Sequence, residues 1–88
     1  MEQTNNKEFL FIQLVMQNQQ IAMMSLGKLK NPVTNETDSN MEYAKIAIDT
    51  LDMLKEKTTG NLSAYEEQFL NETLKELKLL YVEEYGKK

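Results

Sequence analysis

Residues 9–26 read FLFIQLVMQNQQIAMMSL, and the reading of this stretch decides the fold. No charged side chain occurs between Glu8 and Lys28. On a helix of 3.6 residues per turn, Phe9, Ile12, Met16, Met23 and Leu26 form one face. Phe11, Val15 and Ala22 form the adjoining face, while Leu10, Leu14 and Ile21 cover the far side. The polarity of the stretch comes from amides alone, at Gln13, Gln17, Asn18, Gln19 and Gln20. A helix apolar all round has to be covered all round.

Working outward, the side chain of Asn5 or Asn6 is suited to cap the start of this helix. Gly27 is suited to end it in the left-handed conformation, giving a first helix over about 6–26. Residues 27–38 read as a loop. Asn31-Pro32 disfavours helix, and Thr, Asn, Asp and Ser follow. Ser39-Asn40-Met41-Glu42 has the capping-box pattern, in which a hydroxyl and a carboxylate satisfy each other's backbone N–H groups. Ala44, Ala47, Ile48, Leu51 and Leu54 then recur at helical spacing, so a second helix runs over about 40–57.

Thr58-Thr59-Gly60 ends that helix, and Ser63-Ala64-Tyr65-Glu66 repeats the box to open a third over about 64–84. Leu70, Leu74, Leu77 and Tyr81, with Phe69, Thr73 and Leu80 beside them, line its inward side. Lys87 and Lys88 follow Gly86, placed to complement the helix's negative end. The short link between the second and third helices implies an antiparallel hairpin. The loop of about a dozen residues before it is long enough for helix 1 to cross over or to swap to another chain. The expected fold is therefore all-α: a single domain over 1–88, its first helix packed on the hairpin and forming an oligomer interface.

Size supports that expectation. A chain of 88 residues has a marginal core, and small chains compensate with disulfides, metals or association. There is no cysteine and no histidine, which leaves association. Two neighbouring helices cover only part of a third one's circumference, and a contiguous exposed apolar surface is unusual for a soluble monomer. The interface is expected to use Phe9, Phe11, Ile12, Val15, Met16, Gln19, Met23 and Leu26, in a homo-oligomer (dimer or higher) or with a protein partner. The amides read as a partly solvated ridge, as buried groups that fix register across a dimer, or as a patch that recognises a partner's backbone. Met16, Met23, Met24 and Met53 read as core filler.

Other classes fit poorly. Net charge is −4, with 14 acidic residues, 10 lysines and no arginine, whereas nucleic-acid modules need basic patches. The uncharged run is about long enough to span a bilayer, but five amides in its length oppose insertion. The amino-terminal residues carry Glu2 and no basic region or small-residue cleavage site, so a cytoplasmic location is expected. The sequons at Asn35, Asn61 and Asn71 then carry no meaning.

Without His or Cys, no nucleophile–base pair or phosphate loop is legible, and no enzyme, cofactor or catalytic residue is expected. Asp49, Asp52 and Glu56 share one side of the second helix and offer oxygen ligands for a divalent cation, as do Glu72 and Glu76 on the third. The competing reading is a solvated face paired with Lys45, Lys55, Lys75 and Lys78. A ligand- or divalent-cation-responsive regulator is the alternative to self-association, followed by a membrane-associated helix protein.

From Leu26 onward a longer pattern is present. It comprises Leu26-Gly27, Asn31-Pro32-x-Thr34, and then Ala44-Lys45-x-x-Ile48-Asp49-x-Leu51-x-Met53-Leu54-Lys55-x-Lys57-Thr58-x-Gly60-Asn61-Leu62. Glu66-Glu67, Leu70, Leu74, Leu77 and Tyr81-Val82 complete it. The pattern resembles the short bacterial proteins of the domain of unknown function 1844 family, most specifically from the second helix to Leu62. The resemblance implies a bacterial cytoplasmic protein and transfers no functional residue. Two positions depart from it. Asn35 stands in place of glycine, and Asn tolerates the left-handed conformation. Lys78 stands in place of arginine and lacks its bidentate fork.

Overall fold

The computed structural model describes residues 3–37 and 39–86, with side chains from residue 7. Three helices carry the chain: α1 (Gln3–Ser25), α2 (Met41–Lys57) and α3 (Ala64–Gly86). Each packs against the other two, as the all-α reading expects. Among the described residues the one β-type pairing is an isolated antiparallel bridge between Leu26 and Ser39. Met1, Glu2, Asp38, Lys87 and Lys88 lie outside the described residues, and with them the expected lysine complement to the end of α3.

Local chemistry sets the helix ends. At the end of α1 the Gly27 N–H donates to the Met24 carbonyl and the Lys28 N–H to the Met23 carbonyl, at 3.0 and 2.8 Å. This double bond pattern is a Schellman stop, and it needs the φ of +78° that Gly27 adopts. At the start of α3 the box expected at Ser63 forms in both directions. The Ser63 N–H donates to Glu66 Oε1 at 2.7 Å, and the Glu66 N–H donates to Ser63 Oγ at 3.1 Å. Asn35 adopts φ +60°, a left-handed turn conformation that asparagine tolerates.

Two expected starts are corrected. The α2 cap is Asn40, not Ser39: Asn40 has extended backbone and its Oδ1 accepts from the Tyr43 N–H. Ser39 is held instead by its pairing with Leu26, which leaves the next residue free to cap. The helical backbone of α1 already includes Asn5 and Asn6, so neither caps it. An asparagine inside a helix loses only a few tenths of a kcal/mol relative to better formers, too little to terminate one.

Two contacts orient the bundle. Ser63 Oγ donates to Glu8 Oε2 at 3.3 Å, joining the starts of α3 and α1. Lys28 Nζ lies 3.8 Å from a Glu84 carboxylate oxygen, joining their far ends. Hence α1 and α3 run parallel and α2 runs against both. Val15 and Ala22 of α1, Ala47, Ile48 and Leu51 of α2, and Leu70, Leu74 and Leu77 of α3 form one core. Each such aliphatic side chain larger than alanine contributes about 1.5–3 kcal/mol on burial. The Asn40 N–H donates to the Ser25 carbonyl at 2.7 Å, tying the first turn of α2 to the last of α1. In this arrangement α1 lies on its own hairpin.

Candidate interaction surface

The face that α1 turns inward is centred on Phe11, Val15, Ala22 and Leu26. Val15 and Ala22 are fully enclosed and Leu26 is 1% exposed. Phe11 and Met23 are half-buried against the core, and Ile12 and Gln19 are half-buried at the flanks. Of the eight expected interface residues, Val15 and Leu26 are therefore consumed inside the chain. Phe9 and Met16 are exposed and lie at one margin of the outward face.

That outward face includes residues the sequence reading placed on the far side. Leu10 is 55% exposed, Leu14 40% and Ile21 46%. The amide ridge of Gln13, Gln17 and Gln20 is exposed between these and Phe9 and Met16. Asn18 is different, because its Nδ2 donates back to the Leu14 carbonyl at 3.1 Å within its own helix. Close approach of α1 and α2 marks the inward face. The interior positions of α1 and α2 include Ala22, Ala44 and Ala47, and such short side chains suit close approach of the two helices. The longer Leu10, Leu14 and Ile21 are left outside.

The exposed residues are spaced in a regular way. Lys7, Leu10, Leu14, Gln17 and Ile21, continued by half-buried Met24, follow alternating steps of three and four, the spacing that keeps a seam facing a second helix. On α2, exposed Tyr43, Ile46 and Met53, with half-buried Thr50, follow the same steps. The two seams converge at one end. Ile21 and Met24 of α1 share a groove of about 300 Å³ with Tyr43 of α2 and with Leu29, Asn31 and Glu36 of the loop. The spacing of these residues was visible in the sequence. What hid the seam was that all sides of α1 look apolar, so only the packing reveals which side is outward.

Charge lies elsewhere. Lys45 Nζ bonds Asp49 Oδ2 at 2.8 Å, and Lys78 Nζ bonds Asp52 Oδ1 at 3.1 Å. The hydrogen bond to Asp49, and then its negative charge, hold Lys45 above the ordinary lysine pKa. The Glu72 carboxylate accepts from Gln68 at 3.1 Å. Among the described residues no group of three acidic side chains is placed to hold a metal ion. The two lysine–aspartate pairs flank a second groove, of about 290 Å³, between α2 and α3, with Ile48, Tyr81 and Val82 in its walls. Among the described residues no helix is long and apolar enough to cross a membrane.

A family model described as Domain of unknown function (DUF1844) matches residues 8–83. The chain belongs to this family. Neither the curated proteins nor the solved structures contain a match to it. The domain of unknown function 1844 match spans the α1 seam from Leu10 to Met24, the groove and both lysine–aspartate pairs.

Proposed function

We propose that this family member is a non-enzymatic helical protein of the bacterial cytoplasm that associates with itself and acts through protein–protein contacts. One observation carries the reading: the outward face of α1 exposes Phe9, Leu10, Leu14, Met16 and Ile21 around an uncharged amide ridge, with no charged side chain from Phe9 to Ile21. On a chain of net charge −4, this is the face a second copy approaches without electrostatic opposition. The exposed seam on α2 borders it and extends the apolar area. A standard interface takes about 800 Å² from each partner, roughly an eighth of the 6451 Å² that the chain exposes.

Sedimentation velocity across micromolar concentrations tests the reading. The expected result is an oligomer that Leu14→Lys with Ile21→Glu converts to a folded monomer of unchanged helical circular dichroism. A wild-type chain that stays monomeric at about 50 µM (Kd weaker than about −6 kcal/mol of binding) overturns it.

A second reading rests on the groove between α2 and α3. Apolar walls with a charged pair on either side suit a small amphiphilic ligand. Its test is a melting shift with such ligands that Val82→Trp, at an exposed wall of the groove, removes. The divalent-cation version has weaker support, since Asp49 and Asp52 are each engaged by a lysine.

A further inference from the structure

The seam on α1 is symmetric about Gln17 to within one residue. Leu10 and Leu14 precede it by seven and three residues, and Ile21 and Met24 follow it by four and seven. Reversing the helix about Gln17 therefore brings Leu10 level with Met24, Leu14 to within one residue, or ~1.5 Å, of Ile21, and Gln17 onto Gln17. We propose that, given the self-association argued above, the second copy docks antiparallel with Gln17 on the two-fold axis. Leu14 of each copy then meets Ile21 of the other, and Leu10 meets Met24. The two Gln17 amides donate and accept across the axis, and a lone polar layer of this kind fixes register.

Charge supports the same register. One turn before Leu10 the seam carries Lys7, and the groove that receives Leu10 at the other copy's Met24 is also lined by Glu36. Neither Lys7 nor Glu36 forms an ion pair with a described residue of its own chain. The antiparallel register carries Lys7 of one copy past Met24 of the other, toward that carboxylate, and the two-fold repeats the contact. A parallel arrangement would instead bring Lys7 to Lys7 and leave both Glu36 side chains unmet.

The absence of cysteine from the chain makes this testable by single introduced thiols. Gln17→Cys lies on the axis and should oxidise to a covalent dimer. Gln13→Cys is the control: its two copies are offset by about eight residues, or ~12 Å along the helix, beyond disulfide reach. Lys7→Glu or Glu36→Lys alone should weaken association about fivefold at low salt, and the two together should restore it. A dimer that does not cross-link through position 17, or cross-links equally through 13, overturns the register. So does a double charge reversal as weak as either single one. A chain monomeric in sedimentation overturns instead the self-association on which the proposal rests.

Discussion

Lys78 reaches across the hairpin to Asp52, with Nζ 3.1 Å from Oδ1. A lysine makes one such contact, where an arginine would offer a bidentate fork. Both side chains are about half exposed, so the pair contributes no more than about 1 kcal/mol. Lys78→Arg should raise the urea midpoint slightly, by less than ~1 kcal/mol, through a second hydrogen bond. Asp52→Asn should lower it by a similar amount, with the same result in calcium or magnesium as in chelator.

The reciprocal bonds between Ser63 and Glu66 predict a coupled loss. Ser63→Ala should cost about 1 kcal/mol, and Glu66→Ala a comparable amount, because Glu66 is buried with only 9% exposure. The double variant should lose less than the sum, since either change alone breaks the box. Urea denaturation at one fixed protein concentration checks this.

Packing separates the interior from the candidate surface. Leu51→Ala or Leu77→Ala, each at fully enclosed positions, should cost about 2–5 kcal/mol. Leu14→Ala should leave the isolated fold within about 1 kcal/mol and change the sedimentation coefficient instead. Loss of fold on Leu14→Ala without change in association would count against the assignment of that face.

Backbone conformation predicts opposite signs at two turns. Gly60 sits at φ +85° with nothing near its would-be side chain, so Gly60→Ala should cost about 1 kcal/mol from conformation alone. Asn35 at φ +60° is exposed, and Asn35→Gly should be neutral or stabilising by a few tenths of a kcal/mol.

Lys45 sets a pH dependence. Its pKa is raised in the fold by Asp49, so its contribution is fully present below the unfolded lysine value of about 10.4 and lost as pH rises through the folded one. The melting difference between wild type and Lys45→Gln should be flat across neutral pH and close only in the alkaline range.

How much of this was legible in the sequence depends on the residue. Gly27 and the Ser63–Glu66 pair act through neighbours three to five positions away, so pattern alone located them. The buried sets on α2 and α3 were equally plain, because charges mark their outer sides. Ser39 misled, since its pairing with Leu26 joins residues thirteen apart and no local rule reports it. Val15 and Leu26 misled for the reason that makes α1 unusual: with no charge to mark the solvent side, helical spacing cannot say which face turns inward.

The bridge from Leu26 to Ser39, with the Asn40 N–H on the Ser25 carbonyl, has a practical meaning. The connection between α1 and α2 leaves and returns at one clamped point, with Val33 89% exposed along it. The tip of this excursion stands clear of the bundle, although Leu29, Asn31 and Glu36 line the groove on α1 and α2, and lengthening it at the tip adds little closure entropy. An epitope or fluorophore-binding peptide inserted after Val33 should therefore be carried without disturbing the three helices. The same position is the natural point for a protease nick that leaves α1 bound to its hairpin.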